Sequence, residues 1–259
     1  MPGARVSRAD KVAPDLLMLH GWGMHNGAWG RFAERLGAGL AVQAVELPGH
    51  GKAPCGPGPF TAAGFASALA QCSSATTWLG WSLGGQLALR AALDFPGRVQ
   101  RMILLATGAS FVARPHWPWG IDPADFSRFR ATVVADPASA LRRFNGWQVA
   151  GSERSRQTLG ELNRRLGESV PEARALADGL DILGSLDLFA ELERLRGRVL
   201  LLVGAEDRLV APEAVRRTAA LIPGAQFRLI PGAGHAPFIS HPDAVLEAVS
   251  EFLELDIAA

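Results

Sequence analysis

A doubly wound α/β sheet interrupted by a helical insertion is the fold that the sequence predicts, and three observations predict it. Six short apolar runs recur along the 259 residues, most of them followed by a segment of helical period. Each run is bounded by glycine or proline, and between Ala106 and Arg198 the runs stop while helical segments follow one another. Strands covered on both faces read as short continuous apolar runs, and strands alternating with helices imply parallel crossovers.

The runs justify themselves in order. Leu16 to Leu19 ends at the turn His20-Gly21-Trp22-Gly23, and Ala41 to Leu47 ends at Pro48-Gly49. Thr76 to Leu79 runs into Gly80 ahead of a helix from Gly84 to Leu93, and Arg101 to Ala106 follows. The helical stretch then offers Pro123 to Val134, Pro137 to Val149, Ser152 to Leu166, Pro171 to Leu183 and Leu186 to Leu195. Arg198 to Val203 and Gln226 to Ile230 are the last strands, each followed by a helix, Pro212 to Leu221 and Pro242 to Leu253, that opens on a proline whose missing N–H costs nothing at the first helical position. Residues 1–109 and 198–259 are therefore expected to form one core, with 110–197 as a helical lid.

Composition narrows the function classes. With 48% hydrophobic and 20% charged residues the chain is that of a folded globular protein. A formal net charge of +1 argues against bulk electrostatic binding to nucleic acid or to an anionic membrane. Cys55 and Cys72 lack the spacing of a disulfide framework or a zinc site, which suits a reducing compartment. Arg5, Arg8 and Lys11 precede an apolar stretch too short for a signal-peptide core, and no run of 18 apolar residues offers a membrane span, so a cytoplasmic location is expected. Charge within the insertion is uneven. Residues 128–165 carry eight arginines against Asp136, Glu153 and Glu161, whereas 166–193 carry seven acids against Arg174 alone.

The chemistry is concentrated in Gly80-Trp81-Ser82-Leu83-Gly84, set between a strand and a helix. A nucleophile on a sharp strand-to-helix turn needs small residues two positions to either side, because the strained backbone draws neighbouring chain close. A serine hydroxyl also needs a general base that is itself oriented by a carboxylate. Gly204-Ala205-Glu206-Asp207 supplies the acid at one strand end, with Asp207 preferred and Glu206 its neighbour and competitor. His235, in Pro231-Gly232-Ala233-Gly234-His235, supplies the base at the next strand end, in the chain order Ser, Asp, His that this motif requires. The other histidines read differently: His50 is a turn residue of Pro48-Gly49-His50-Gly51, and His25, His116 and His241 lie in or before loops outside that order. His20-Gly21-Trp22-Gly23 is explained by its backbone, because an oxyanion needs preorganised N–H donors; the amides of Trp22 and Leu83 are the two expected.

With these residues in place the chain resembles the alpha/beta-hydrolase superfamily over essentially its full length. More narrowly, Leu19-His20-Gly21-Trp22-Gly23, Leu79-Gly80-Trp81-Ser82-Leu83-Gly84-Gly85 and Gly234-His235-Ala236-Pro237-Phe238-Ile239-Ser240-His241-Pro242 resemble the biotin-pathway pimeloyl-[acyl-carrier protein] methyl ester esterases. The resemblance implies a serine carboxylesterase, free of metal or organic cofactor, that unmasks the pimeloyl carboxylate on acyl carrier protein. It implies Ser82, Asp207 and His235 as the triad and lid arginines that meet the acidic carrier: Arg143 and Arg156, with Phe144 between them, and Arg142, Arg154, Arg164 and Arg165 close by. Gly160 stands where another basic residue would fit, Glu46 stands where the wider superfamily often has Asp, and the segment before Leu16 is poorly patterned as a strand. Trp22, Trp81, Phe111 and Phe144 are candidates for the acyl channel, with ordinary core packing as the other account of each. A solvated helix face paired with the acidic stretch is likewise the other account of the arginines. Rival functions are a broad short-chain carboxylesterase, a triad-dependent lyase of the menaquinone-pathway type, and a non-catalytic ligand-binding homologue.

Overall fold

The computed structural model describes residues 15–254; Arg5, Arg8, Lys11 and the poorly patterned segment before Leu16 lie outside the described residues, as does 255–259. Six strands form one parallel sheet: β1 (Leu16–Leu19), β2 (Val42–Val45), β3 (Thr77–Trp81), β4 (Arg101–Leu105), β5 (Arg198–Gly204) and β6 (Gln226–Ile230). Their spatial order is β2-β1-β3-β4-β5-β6, with every neighbouring pair parallel. All six apolar runs of the sequence are therefore strands.

Alternation along each strand feeds two faces. Leu17, Leu19, Trp78, Met102, Leu104, Leu201 and Val203 pack on one side, and Leu16, Met18, Leu79, Trp81, Ile103, Leu105, Leu200 and Leu202 on the other. Both faces are covered by helices: α1 (Gly30–Leu36), α2 (Ala62–Cys72), α3 (Leu83–Asp94), and, after the insertion, α8 (Pro212–Leu221), the single turn α9 (Pro237–Ser240) and α10 (Pro242–Leu253). Between β4 and β5 lie α4 (Pro123–Ala135), α5 (Pro137–Val149), α6 (Ser155–Glu168) and α7 (Ala173–Ser185). Asp122 and Asp136 cap α4 and α5, their carboxylates accepting from amides of the first turn, and a proline follows each cap.

One expected helix is absent. Leu186 to Leu195 has helical spacing, yet Leu186 is extended, Asp187 bridges Ser110, and only Leu192–Arg194 makes a 3₁₀ turn. Leu188, Leu192 and Leu195 are buried all the same. The chain must return from α7 to the edge of β5, and the Asp187 carboxylate is held by Arg114 and His116, so tertiary packing overrides the periodic signal.

In a parallel sheet all strand ends of one kind share an edge. The loops after β1, β3, β5 and β6, carrying Trp22, Ser82, Asp207 and His235, therefore meet at the carboxyl edge. The strand order reverses between β1 and β3, the crevice where open α/β sheets build their sites.

Candidate active site

Ser82 stands between the last residue of β3 and the first of α3, with φ 55° and ψ −116°. That backbone is costly for a residue with a Cβ, and its surroundings hold it: the Ser82 N–H donates to the Leu105 carbonyl at 2.9 Å, and the Ser82 carbonyl accepts from the Gly85 and Gln86 amides at 3.0 and 3.1 Å. The flanking glycines are steric necessities. A Cβ on Gly80 would lie 2.5 Å from Gly85 Cα, and one on Gly84 would lie 2.3 Å from the Leu19 carbonyl oxygen. The sharp turn and the first strand thus touch backbone to backbone.

His235 Nε2 lies 3.0 Å from Ser82 Oγ, and His235 Nδ1 lies 2.8 Å from Asp207 Oδ2. All three side chains are buried. The chain of contacts matches one tautomer, with Nδ1–H donating to the carboxylate and Nε2 free to accept from the hydroxyl. Asp207 Oδ1 accepts from the Leu209 and Val210 amides at 2.9 and 3.0 Å, so both carboxylate oxygens are engaged and the acid is fixed in place. Glu206 is exposed whereas Asp207 is buried against His235, which separates the two neighbouring acids.

The turn after β1 closes against this elbow. A Cβ on Gly21 would come within 3.4 Å of Ser82 Cβ, so the turn that carries Trp22 packs directly against the serine. Leu83 opens α3, and its N–H is among those with no partner inside the helix. His20 braces the turn: its Nδ1 lies 2.9 Å from the Gly21 carbonyl and its Nε2 accepts from the Leu47 amide at 3.0 Å. Beside it, burial pushes the Glu46 carboxyl upward, but the neighbouring His20 and the hydrogen bond from the Asn26 amide outweigh burial and hold it below the ordinary value. His50 lies in its turn with Nδ1 2.9 Å from the Pro48 carbonyl; burial and the neighbouring His20 pull its pKa from 6.5 to about 3.

The insertion packs over the carboxyl edge and is bonded to the histidine loop. The Gln148 carbonyl accepts from the His235 amide at 2.9 Å, the Gly232 carbonyl accepts from the Glu153 amide at 3.0 Å and from Ser152 Oγ at 3.1 Å, and Arg154 donates to the Ser240 carbonyl at 2.9 Å. These bonds also explain why α6 starts at Ser155 rather than at Ser152.

A cavity of about 670 Å³ opens between α4, α5, α7 and the loop after β5, with Phe111, Phe126, Phe129, Phe144 and Leu209 among its walls. Phe144 and Phe129 pack edge-on against Trp22, at ring-centroid separations of 4.9 and 5.5 Å, and the Trp22 indole N–H donates to the Leu176 carbonyl in α7. Of the four expected channel residues, Phe111 and Phe144 line this cavity and Trp22 stands behind its wall. Trp81 does not line it: its indole N–H donates to the His235 carbonyl at 2.8 Å, and its ring lies beneath the imidazole at 5.9 Å. The strand position of Trp81 points it to the opposite sheet face, so its part here is to support the histidine loop.

The six expected docking arginines are not equivalent. Arg142, Arg143 and Arg156 are exposed, and among the described residues none of them pairs with a carboxylate. Arg164 is bonded to Glu161 and Glu168, Arg165 to Glu161, and Arg154 is spent on the Ser240 carbonyl. Arg208 was missed by sequence reasoning. It directly follows Asp207 in a strand-end loop and lines the same cavity, and the rule that strand-end loops carry function would have found it.

A profile described as "Alpha/beta hydrolase family" matches residues 16–248. The chain is 38% identical over 241 residues to a pimeloyl-[acyl-carrier protein] methyl ester esterase of Stenotrophomonas maltophilia (strain K279a), covering 93% of each. It is 38% identical over 242 residues to the enzyme of that name from Nitrosomonas europaea, covering 89% of this chain and 92% of the relative. Among solved structures, a bromoperoxidase from Bacillus anthracis superposes with a TM-score of 0.84 at 22% identity, covering 94% of this chain and 92% of the other, a likeness of fold.

Proposed function

This chain belongs to the alpha/beta hydrolase family, and we propose that within it the protein is a serine carboxylesterase that removes the methyl group from pimeloyl methyl ester carried on acyl carrier protein, in biotin biosynthesis. The observation that carries the chemistry is the unbroken contact chain Ser82 Oγ, His235, Asp207 at 3.0 and 2.8 Å. The substrate class rests on the two curated relatives.

Each step of the proposed cycle falls to a named group of this chain. His235 Nε2 takes the Ser82 proton as Oγ attacks the ester carbonyl, and Asp207 holds the imidazolium that forms. The oxyanion of the tetrahedral intermediate falls to the Trp22 and Leu83 amides. His235 then protonates departing methanol, after which it activates water to hydrolyse the acyl-enzyme. The acyl chain lies in the aromatic cavity, and residues 110–197 act as the lid that walls it. Arg142 and Arg156 are the basic face that meets an acidic carrier, with Arg143 beside them at the cavity and Arg154, Arg164 and Arg165 contributing less because their guanidiniums are already engaged.

The test compares carrier-linked pimeloyl methyl ester with a free p-nitrophenyl ester across ionic strength, for wild type and for Arg142→Glu with Arg156→Glu. Turnover of the carrier-linked ester should fall in the variant and, in wild type, with rising salt, chiefly through kcat/KM, whereas the free ester should respond to neither. Equal behaviour of the two substrates throughout overturns the carrier assignment and leaves a short-chain carboxylesterase.

A further inference from the structure

The aromatic cavity is not purely apolar. Arg143 reaches it from α5 and Arg208 from the loop after β5, so the insertion and the core each contribute one guanidinium to the same space. Among the described residues neither pairs with a carboxylate. Arg128 also lines the cavity, but it is bonded to Asp125, the acid found there.

Both side chains are exposed, and each has a neighbour on the insertion. Arg143 lies over the Trp147 ring, 5.5 Å from its centroid. Arg208 lies against Gly151, where φ is +87°; a Cβ at that position would stand 3.0 Å from Arg208 Nε and 3.1 Å from Nη2. The insertion therefore makes room for this side chain at the corner that holds the His235 loop. On the core side its backbone is fixed as well, since Asp207 is bonded to His235 and to the two amides that follow Arg208. Two cations beside an aromatic wall thus have no anion supplied to them by the described residues. A guanidinium presents a planar fork of donors suited to a carboxylate or phosphate.

We propose that Arg208, together with Arg143, is a specificity-determining pair that holds an oxyanion carried by the acyl substrate at the end remote from the scissile ester. This deepens the esterase reading and rests on it for the direction in which the substrate lies. Two sources present that chemistry: the free carboxylate of a dicarboxylic half-ester, and the phosphate of a carrier's pantetheine arm. In either case the cations leave the reacting carbonyl untouched, so they act on KM and on kcat/KM.

Two matched pairs of substrates separate the possibilities. Monomethyl pimelate differs from dimethyl pimelate by one carboxylate, and the methyl pimeloyl thioester of 4′-phosphopantetheine differs from that of pantetheine by one phosphate. In Arg208→Gln the anionic member of at least one pair should lose about tenfold in kcat/KM, as expected for one charge-assisted hydrogen bond partly screened by solvent, while the neutral member stays within twofold. Arg208→Lys should recover part of the loss, and Arg143→Gln should reproduce it more weakly. A loss confined to the half-ester names a carboxylate occupant, and one confined to the phosphopantetheine ester names a phosphate. No loss in either pair, or equal loss on neutral and anionic members, overturns the proposal. None of these substrates needs the carrier protein, so failure of the carrier assignment is read separately. Loss of dimethyl pimelate turnover in Ser82→Ala reports on the esterase chemistry itself.

Discussion

Gly84→Ala adds one methyl group where the structure has no room for it. The new Cβ would stand 2.3 Å from the Leu19 carbonyl oxygen and 2.6 Å from that of His20, whereas ordinary carbon–oxygen contacts begin at about 3.3 Å. Something must move by about 1 Å, and the atoms in the way are backbone at the end of β1, immediately before Gly21 and Trp22. The elbow and the oxyanion turn would be forced apart, widening the gap between the Leu83 and Trp22 amides while leaving Ser82, His235 and Asp207 in register. Misplacement on that scale, or loss of one oxyanion donor, costs on the order of 10²-fold in rate. Overpacking should cost about 1–3 kcal/mol of stability, or roughly 2–10 °C in Tm for a chain of this size. Hydrolysis of p-nitrophenyl acetate should show kcat lowered about 10²-fold with little change in KM, and thermal unfolding by circular dichroism should show a folded protein. Gly160→Ala is the control: a Cβ there meets nothing within 4 Å, so kcat should hold and Tm should rise. A folded Gly84→Ala enzyme with kcat within threefold of wild type would refute the claim that this backbone contact sets the oxyanion geometry.

The remaining predictions concern the triad and a buried histidine. Ser82→Ala should abolish hydrolysis of a short p-nitrophenyl ester, by about 10⁴-fold or more, with circular dichroism unchanged; near-normal turnover in the folded variant would discard the mechanism. Asp207→Asn should lower kcat strongly and Glu206→Gln hardly at all, and steady-state kinetics showing the reverse would reassign the acid. His50 takes up a proton in the unfolded chain near its ordinary 6.5 but resists it in the native state down to about 3. Stability linked to it is therefore present above 6.5 and lost as pH falls through that window, by up to about 1.4 kcal/mol per pH unit. Denaturant titrations from pH 7 to 4 should show a shallower acid slope in His50→Gln than in wild type, and parallel slopes would remove His50 from the account.

The sequence announces this sheet because both of its faces are covered, so each strand is written as an uninterrupted apolar run. Helices α8 and α10 are legible to the residue because a proline marks each first turn. The triad is legible because the glycines around Ser82 and the strand-end loops of Asp207 and His235 are local features with fixed chain order. What stays hidden depends on contacts made at a distance. Leucine spacing from 186 to 195 suits a helix, but the bridge of Asp187 to Ser110 decides otherwise. Trp81 sits in the nucleophile motif and invites a substrate role, yet strand alternation sends it to the far face. The short helices α1 and α2 have no marker like those prolines, and α2 is largely alanine and small residues with little contrast between its sides. The charge of 128–165 shows one basic block, and only the folded chain reveals that Arg164 and Arg165 are answered by Glu161 while, among the described residues, Arg142, Arg143 and Arg156 pair with no carboxylate.

The hydrogen bonds between the 148–154 corner and the loop carrying His235 bear on how such enzymes can be recombined. An insertion between two strands looks like an exchangeable cassette, with its two crossings at β4 and β5 as natural cut points. Here the cassette supplies the acceptor for the His235 amide and two donors to the Gly232 carbonyl. A graft that brings a foreign insertion without an equivalent corner leaves those backbone groups unanswered in a buried place, at a cost of about 1–3 kcal/mol each. Chimaeras that carry residues 148–154 along with 232–240 as one inherited unit should keep their activity, and those cut between them should lose it although every residue of the triad is present.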